Sequence, residues 1–143
     1  MEDADALTEI AFAAKRHWRY PENWIRQWQE ALTITPEYVA TNPAFVAVLQ
    51  GEIVGFGAVQ IGAGEAVLDH LWVLARFMGR GVGRALFQHA EEIARASGAA
   101  RMKIVGEPHA EQFYSRMGAK VYGREPAGMD GEARFLPLLE KSL

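Results

Sequence analysis

The sequence predicts an α+β fold, a central mixed and mostly antiparallel sheet flanked by helices, and three observations carry that expectation. Helix-spaced apolar residues occupy the first part of the 143-residue chain. Short β-patterned segments separated by glycine turns follow them. The second half then alternates amphipathic and extended segments. The order is helices, β-meander, helix, strand, helix, strands, which is that of one mixed-sheet domain over residues 1–143.

Each element has a local reason. Ala4–Arg16 carries Leu7, Ile10, Ala11 and Ala14 at helical spacing. Pro21 suits the first turn of a second helix running to about Leu32, with Trp24, Ile25, Trp28 and Leu32 as its apolar stripe. Thr35 is an N-cap for a helix starting at Pro36-Glu37. Phe45–Leu49 and Ile53–Ile61 read as antiparallel strands joined at Gly51-Glu52, and Ala66–Val73 as a third strand after the Gly62–Glu65 turn. Gly55 and Gly57 weaken the second strand or mark a close backbone approach. Val82, Ala85, Leu86, Ala90, Ile93 and Ala94 share one face of a helix that Gly98 ends as its C′ glycine. Met102–Val105 is a strand, and Pro108–Met117 a short helix closed by Gly118. Val121–Arg124 and Phe135–Leu139 are two last strands, expected to form an apolar sheet edge in which Pro137 interrupts pairing.

Composition removes several function classes. Half the residues are apolar and 23% are charged, an ordinary globular balance. The net charge of −3 is not the basic footprint of a nucleic-acid binder. The chain has no cysteine, which excludes disulfides, a cysteine nucleophile and a thiolate metal site, and no metal is expected. The acidic start, Met1–Leu7, lacks the blocks of a signal peptide, and no apolar run reaches the roughly 20 residues that span a bilayer. A cytoplasmic protein without membrane partners is the expectation.

The most informative stretch is Met78-Gly79-Arg80-Gly81-Val82-Gly83-Arg84, between a strand and a helix. Glycines let backbone N–H groups approach a phosphate, and the first N–H groups of a helix lack internal partners. Arg80 and Arg84 add positive charge. A Walker-type loop would need Gly-Lys-Ser/Thr where the chain has Gly83-Arg84-Ala85. A dinucleotide fingerprint would need glycine at Arg84, or glycine or alanine at Leu86. The competing reading is a tight glycine turn without a ligand.

Gly81 and Gly83 instead resemble the Gln/Arg-x-x-Gly-x-Gly/Ala motif of the GNAT family of N-acetyltransferases, with Met78 standing where Gln or Arg is usual. The family's Asn-x-x-Ala-x-x-Phe-Tyr-x-x-x-Gly-Phe segment is matched at Ala110, Phe113, Tyr114 and Gly118, with Glu107 at the Asn place, His109 two residues after it, and Ala119 at the last Phe. The resemblance covers roughly residues 45–139. It implies a GNAT-like fold, although a helix starting by Ala4 leaves no room for the family's usual first strand. It implies acetyl-CoA as acyl donor and direct transfer to a small-molecule or peptide amine. Gly79, Arg80, Gly81, Val82, Gly83 and Arg84 would hold the pyrophosphate. Leu71 and Val73, on a strand splayed after Val73, would offer peptide groups to the pantetheine arm. His109 and Phe113 would also meet the cofactor. The alternative on the same fold is a non-catalytic acyl-CoA-binding module.

The chemistry needs two proton handlers. An alkylamine, with a pKa near ~10, must lose a proton before it attacks, and the departing thiolate gains from a donor. By the resemblance Tyr114 is the general acid; otherwise it is a helix aromatic packed on the sheet. His70 is the candidate base because imidazole titrates near neutrality, or else a strand histidine with a satisfied ring. Glu107 is either a further base or a carboxylate stabilising the helix at Pro108. Trp18 and Tyr20, in a helix connection, are candidates for lining the acceptor pocket, whereas Trp24 and Trp28 fit a buried stripe. The resemblance and the terminal strands together imply a homodimer.

Overall fold

The computed structural model describes residues 2–143, the side chains of Glu2 and Asp3 excepted; Met1 lies outside the described residues. Four helices come first: α1 (Glu2–His17), α2 (Glu22–Gln27), α3 (Gln29–Leu32) and α4 (Pro36–Thr41). Strands β1 (Ala44–Leu49), β2 (Glu52–Ile61) and β3 (Ala66–Val73) follow, then a 3₁₀ turn at Ala75–Phe77 and the long helix α5 (Val82–Ala96). The chain closes with β4 (Arg101–Val105), a 3₁₀ turn at Pro108–Ala110, α6 (Glu111–Arg116), β5 (Lys120–Pro126) and β6 (Phe135–Ser142). The six strands are ordered β1-β2-β3-β4-β6-β5. The β3–β4 ladder is parallel, and β1–β2, β4–β6 and β5–β6 are antiparallel. No strand precedes α1 among the described residues, as its early start requires.

The caps are where side-chain chemistry asks for them. Thr35 Oγ1 accepts the Tyr38 N–H at 3.1 Å, satisfying one of the first-turn donors of α4. Gln50 and Gly51 both have positive φ (52° and 78°), the backbone of a tight hairpin between β1 and β2. Gly98 and Gly118, at φ 88° and 93°, stand two residues beyond α5 and α6, where a left-handed residue ends a helix.

Two compact units share the chain: Met1–Ala58 with His70–His89, and Val59–Asp69 with Ala90–Leu143. In the first, strand alternation sorts β3 onto two faces. Trp72 and Leu74 pack against a cluster of Leu7, Ile10, Ala11, Leu32, Ile34 and Phe56. Leu71 and Val73 pack against Val54, Val82 and Leu86, so the start of α5 covers the other face. In the second unit the buried residues of β4 and β6 are Met102, Ile104, Pro137 and Leu139. Glu91 of α5, 6% exposed, is held there by Arg95 at 3.2 Å and Lys141 at 3.7 Å.

Two expectations are corrected. The second helix is not continuous to Leu32: it breaks at Trp28 (φ −89°, ψ 4°), and Pro21 sits before the first turn, its carbonyl accepting from Trp24 and Ile25. Trp24 is buried and Trp28 half-buried. The last strand is also not an edge. β6 lies between β4 and β5, and β5 is the edge. Pro137 is tolerated inside the sheet because it contributes a carbonyl, which accepts the Gly106 N–H at 2.9 Å.

Gly55 and Gly57 do mark close approaches. A Cβ on Gly55 would lie 2.8 Å from the Trp72 carbonyl oxygen and 3.2 Å from Leu86, and one on Gly57 would lie 2.6 Å from the Phe45 ring. Gly55 meets backbone, which cannot rotate away. Gly55→Ala is therefore expected to destabilise the protein by about 1–3 kcal/mol, the usual cost of overpacking. Urea denaturation measures it, and unchanged stability would show that the two strands separate without cost.

Candidate active site

The glycine loop begins where β3 ends. The Leu74 N–H donates to the Val54 carbonyl at 2.9 Å, tying the strand's exit to β2. The 3₁₀ turn closes with Phe77 N–H on the Leu74 carbonyl (2.9 Å) and Met78 N–H on Ala75 (3.1 Å). Gly79 and Gly81 follow at φ 77° and 83°, a left-handed backbone that L side chains avoid. A Cβ on either would meet nothing within 4 Å, so their outer side is open. The first intrahelical bond of α5 runs from Ala85 N–H to the Gly81 carbonyl at 3.0 Å. The N–H groups of Val82, Gly83 and Arg84 therefore precede the internal ladder. Arg80 and Arg84 are exposed. Arg80 lies 5.7 Å over the Phe77 ring, and Arg84 forms no ion pair among the described residues. Arg76 differs: Glu52 pairs with it. The loop thus presents unpaired backbone donors, two exposed cations and open space beside Gly79 and Gly81, which fits a polyphosphate.

The parallel ladder between β3 and β4 ends at Leu68↔Ile104. Its end precedes Val73 by five residues, earlier than the sequence suggests. The backbone of Leu71 and Val73 has no ladder partner in β4.

His70 and Trp72 share a face of β3, and the Trp72 indole Nε1–H donates to His70 Nδ1 at 3.0 Å. Indole is a donor only, so Nδ1 must accept and a neutral His70 carries its proton on Nε2. The ring is packed edge-on to Tyr38 (5.6 Å) and tilted to Phe56 (5.9 Å). As placed, His70 is a hydrogen-bond donor at Nε2. Using it as a base would require breaking the Trp72 bond.

Tyr20 stacks on Trp24 (5.8 Å) and meets Trp28 edge-on (5.0 Å). The Lys15 ammonium sits over Trp28 at 4.2 Å and Tyr20 at 5.0 Å. This aromatic surface therefore already holds a cation. Trp18, half-buried, meets His17 edge-on at 4.7 Å. The structure thus brings Tyr20 to the Trp24–Trp28 stripe.

In the second unit Tyr114 is buried, next to Gly106, where a Cβ would lie 3.5 Å from the Tyr114 ring. Phe113 meets it edge-on at 5.3 Å. Burial first, and the negative Glu107 second, push the phenol pKa well above its ordinary value. Glu107 has two local partners: its Oε1 accepts the backbone N–H of His109 at 3.4 Å and lies 2.7 Å from His109 Nδ1. Sequence reasoning weighed Glu107 and His109 separately and missed their pairing. The available sign was their i, i+2 spacing across Pro108, which starts a helical turn. No group of acidic or histidine residues suited to a metal exists among the described residues.

A mixed sheet carrying a glycine-rich loop at the start of its long helix defines an acyl-CoA acyltransferase fold. The sequence profile of the acetyltransferase (GNAT) family matches residues 5–119, and the chain belongs to that family. No curated protein matches the chain. Among solved structures it resembles a GCN5-related N-acetyltransferase from Rhodopseudomonas palustris, with 26% identity, TM-score 0.81, and 99% of this chain and 91% of that one covered. It shares the fold of the PaiA N-acetyltransferase from Thermoplasma acidophilum in complex with coenzyme A (20% identity, TM-score 0.75, 99% and 94% covered). It likewise shares that of the ribosomal-protein-S18-alanine N-acetyltransferase from Escherichia coli (19%, 0.72, 99% and 88%).

The raised Tyr114 pKa makes a stability prediction with a definite sign. The folded state holds the phenol proton more tightly than the unfolded chain, whose phenols titrate near ~10. This contribution is full below that pH and is lost as pH rises above it. The wild-type protein is expected to lose stability in that range, and Tyr114→Phe to show a flatter decline. Denaturant midpoints between neutral and strongly alkaline pH test this, and parallel curves would show that the phenol ionises freely when folded.

Proposed function

We propose that the whole chain is one acetyl-CoA-dependent N-acetyltransferase domain that transfers the acetyl group directly to an amine. The observation that carries this is the open, left-handed Gly79–Gly81 backbone leading into α5 between two cations, in a chain of this family. Coenzyme A structures of the same fold support the donor, and their coverage of 99% of this chain supports one domain.

The chain's own groups divide the work. The N–H groups of Val82, Gly83 and Arg84 and the side chains of Arg80 and Arg84 hold the pyrophosphate. The peptide groups of Leu71 and Val73 receive the pantetheine arm, since β4 pairs with neither. His109 and Phe113, both within the second motif segment, are assigned to the cofactor. Bound acetyl-CoA supplies a thioester carbonyl for the amine to attack. Tyr114, kept protonated by its burial, donates to the leaving sulfur. His70, with its proton on Nε2, is better suited to donate a hydrogen bond to an acceptor than to take a proton from it. Trp18 lines the acceptor side, while the Tyr20 ring faces Lys15. A cytoplasmic location and a homodimer belong to the same proposal. The dimer would form at the β5 edge, where Val121 and Tyr122 are exposed along with Phe135 of β6.

Calorimetry with acetyl-CoA, followed by thiol release over an amine panel, tests the function. Binding without thiol release would identify a non-catalytic acyl-CoA module, and no binding would remove the reading altogether. Gly81→Val should abolish binding while leaving the fold intact by circular dichroism. Undiminished affinity would place the pyrophosphate elsewhere. Tyr114→Phe should lower turnover by about 10²–10⁴ with acetyl-CoA affinity nearly unchanged. An equal rate, where chemistry limits turnover, would remove the acid role.

A further inference from the structure

We propose that His109 is the catalytic base of this chain, taking the amine's proton on Nε2, and that Glu107 is the residue that positions it. The inference rests on the transfer reading above and gives His109, two residues after the motif's Asn place, a role that the cofactor motif does not supply.

The geometry determines which nitrogen is basic. Glu107 Oε1 lies 2.7 Å from His109 Nδ1. An ionised carboxylate only accepts, so Nδ1 must carry a proton, and the lone pair of the neutral ring lies on Nε2. The same carboxylate oxygen accepts the His109 backbone N–H at 3.4 Å, so the side chain is held at both ends of the residue it orients. Pro108, between them, restricts the backbone of the turn. Exposure runs the right way for such a pair: the Glu107 side chain is 11% exposed and that of His109 is 41% exposed. The carboxylate is thus sheltered and fixed, whereas the imidazole reaches solvent. Imidazole bases are commonly held by a carboxylate on the other ring nitrogen, which sets the tautomer and favours the imidazolium once formed. His70 shows the opposite arrangement, since Trp72 fills its Nδ1 as a donor and leaves the proton on Nε2.

Glu107 also acts on Tyr114, where its negative charge adds to burial in keeping the phenol protonated. One carboxylate therefore orients the His109 ring and opposes proton loss at Tyr114. In the step, the alkylammonium loses one proton to His109 Nε2. The neutral nitrogen forms a bond to the thioester carbonyl carbon, and the C–S bond breaks. The sulfur takes the phenol proton of Tyr114, and the tyrosinate recovers a proton from the acylated nitrogen. The products are the amide and the free thiol, and the remaining proton rests on His109 until solvent removes it.

A base is needed only when the acceptor arrives protonated, and this separates the proposal from a structural or cofactor-contact role. The test uses the full-length protein, the best alkylamine from the panel, and hydroxylamine, which is mostly unprotonated at neutral pH. His109→Gln should lower kcat/KM for the alkylamine by about 10²–10⁴ and for hydroxylamine by less than about tenfold. Glu107→Gln should show the same acceptor dependence at smaller size. Nitrogen-15 spectra of His109 should show the proton on Nδ1 in the wild type and a tautomer mixture in Glu107→Gln. Equal losses for the two acceptors, an undiminished alkylamine rate, or a wild-type His109 protonated on Nε2 would each overturn the proposal and leave the transfer reading standing. A wild-type protein that binds acetyl-CoA yet acetylates no amine would overturn both.

Discussion

The first unit depends on how closely β2 and β3 approach at Gly55. Without a Cβ there, the Trp72 carbonyl comes within van der Waals reach of β2, and Leu86 of α5 lies against the same spot. That contact seats α5 on Val54 beside Leu71 and Val73. Seating α5 in turn fixes where its first turn begins, and hence where the unpaired N–H groups of the glycine loop point. A larger residue at position 55 would press first on the β3 backbone, where the Trp72 carbonyl oxygen would lie 2.8 Å from its Cβ, and then on the Leu86 side chain. The loop's own glycines answer a different demand. Gly79 and Gly81 have open space at their Cβ positions, so it is positive φ, not crowding, that requires glycine there.

The two histidines illustrate how a neighbour decides chemistry that residue identity leaves open. His70 and His109 have the same ring and the same intrinsic affinity for a proton. An indole donor beside one and a carboxylate acceptor beside the other give them opposite tautomers. Nothing about either histidine alone distinguishes them. The partners do, and each partner lies two residues away in the chain, Trp72 after His70 and Glu107 before His109.

Much of the fold was legible because helices, strands and caps are written in short-range patterns. The stripe from Leu7 to Ala14, the Thr35 cap, the C′ glycines at 98 and 118 and the turn at Gly51 all depend on residues within a few positions. What was not legible depends on neighbours that periodicity does not encode. Pro137 was expected to interrupt pairing, because proline lacks a donor, yet the Gly106 bond needs only its carbonyl. The break at Trp28 interrupts a stripe whose spacing is helical on both sides. The early end of the β3–β4 ladder leaves no trace in the strand's composition, since Leu71 and Val73 are as apolar as Leu68. At the site, the glycine loop was visible because its spacing excludes other phosphate motifs. The Glu107–His109 pairing was not visible, because a carboxylate two residues before a histidine is common and only the turn at Pro108 closes the distance.

A phenol with a raised pKa is at first sight a poor choice of acid, since it releases its proton less readily than free tyrosine. The objection treats the acceptor as a thiolate in water. Burial raises the phenol because the phenolate is an anion deprived of solvent. In the proposed transfer the thiolate forms in the same dehydrated surroundings, where it is destabilised for the same reason and Glu107 opposes both anions. The difference between the two pKa values therefore matters more than either value, and common desolvation leaves that difference much less changed than the raised phenol alone suggests. What the raised pKa does secure is the resting state: Tyr114 waits protonated throughout the neutral range. In the proposed cycle a tyrosinate beside Glu107 regains its proton from the acylated nitrogen, so the phenol is restored and does not accumulate as an anion.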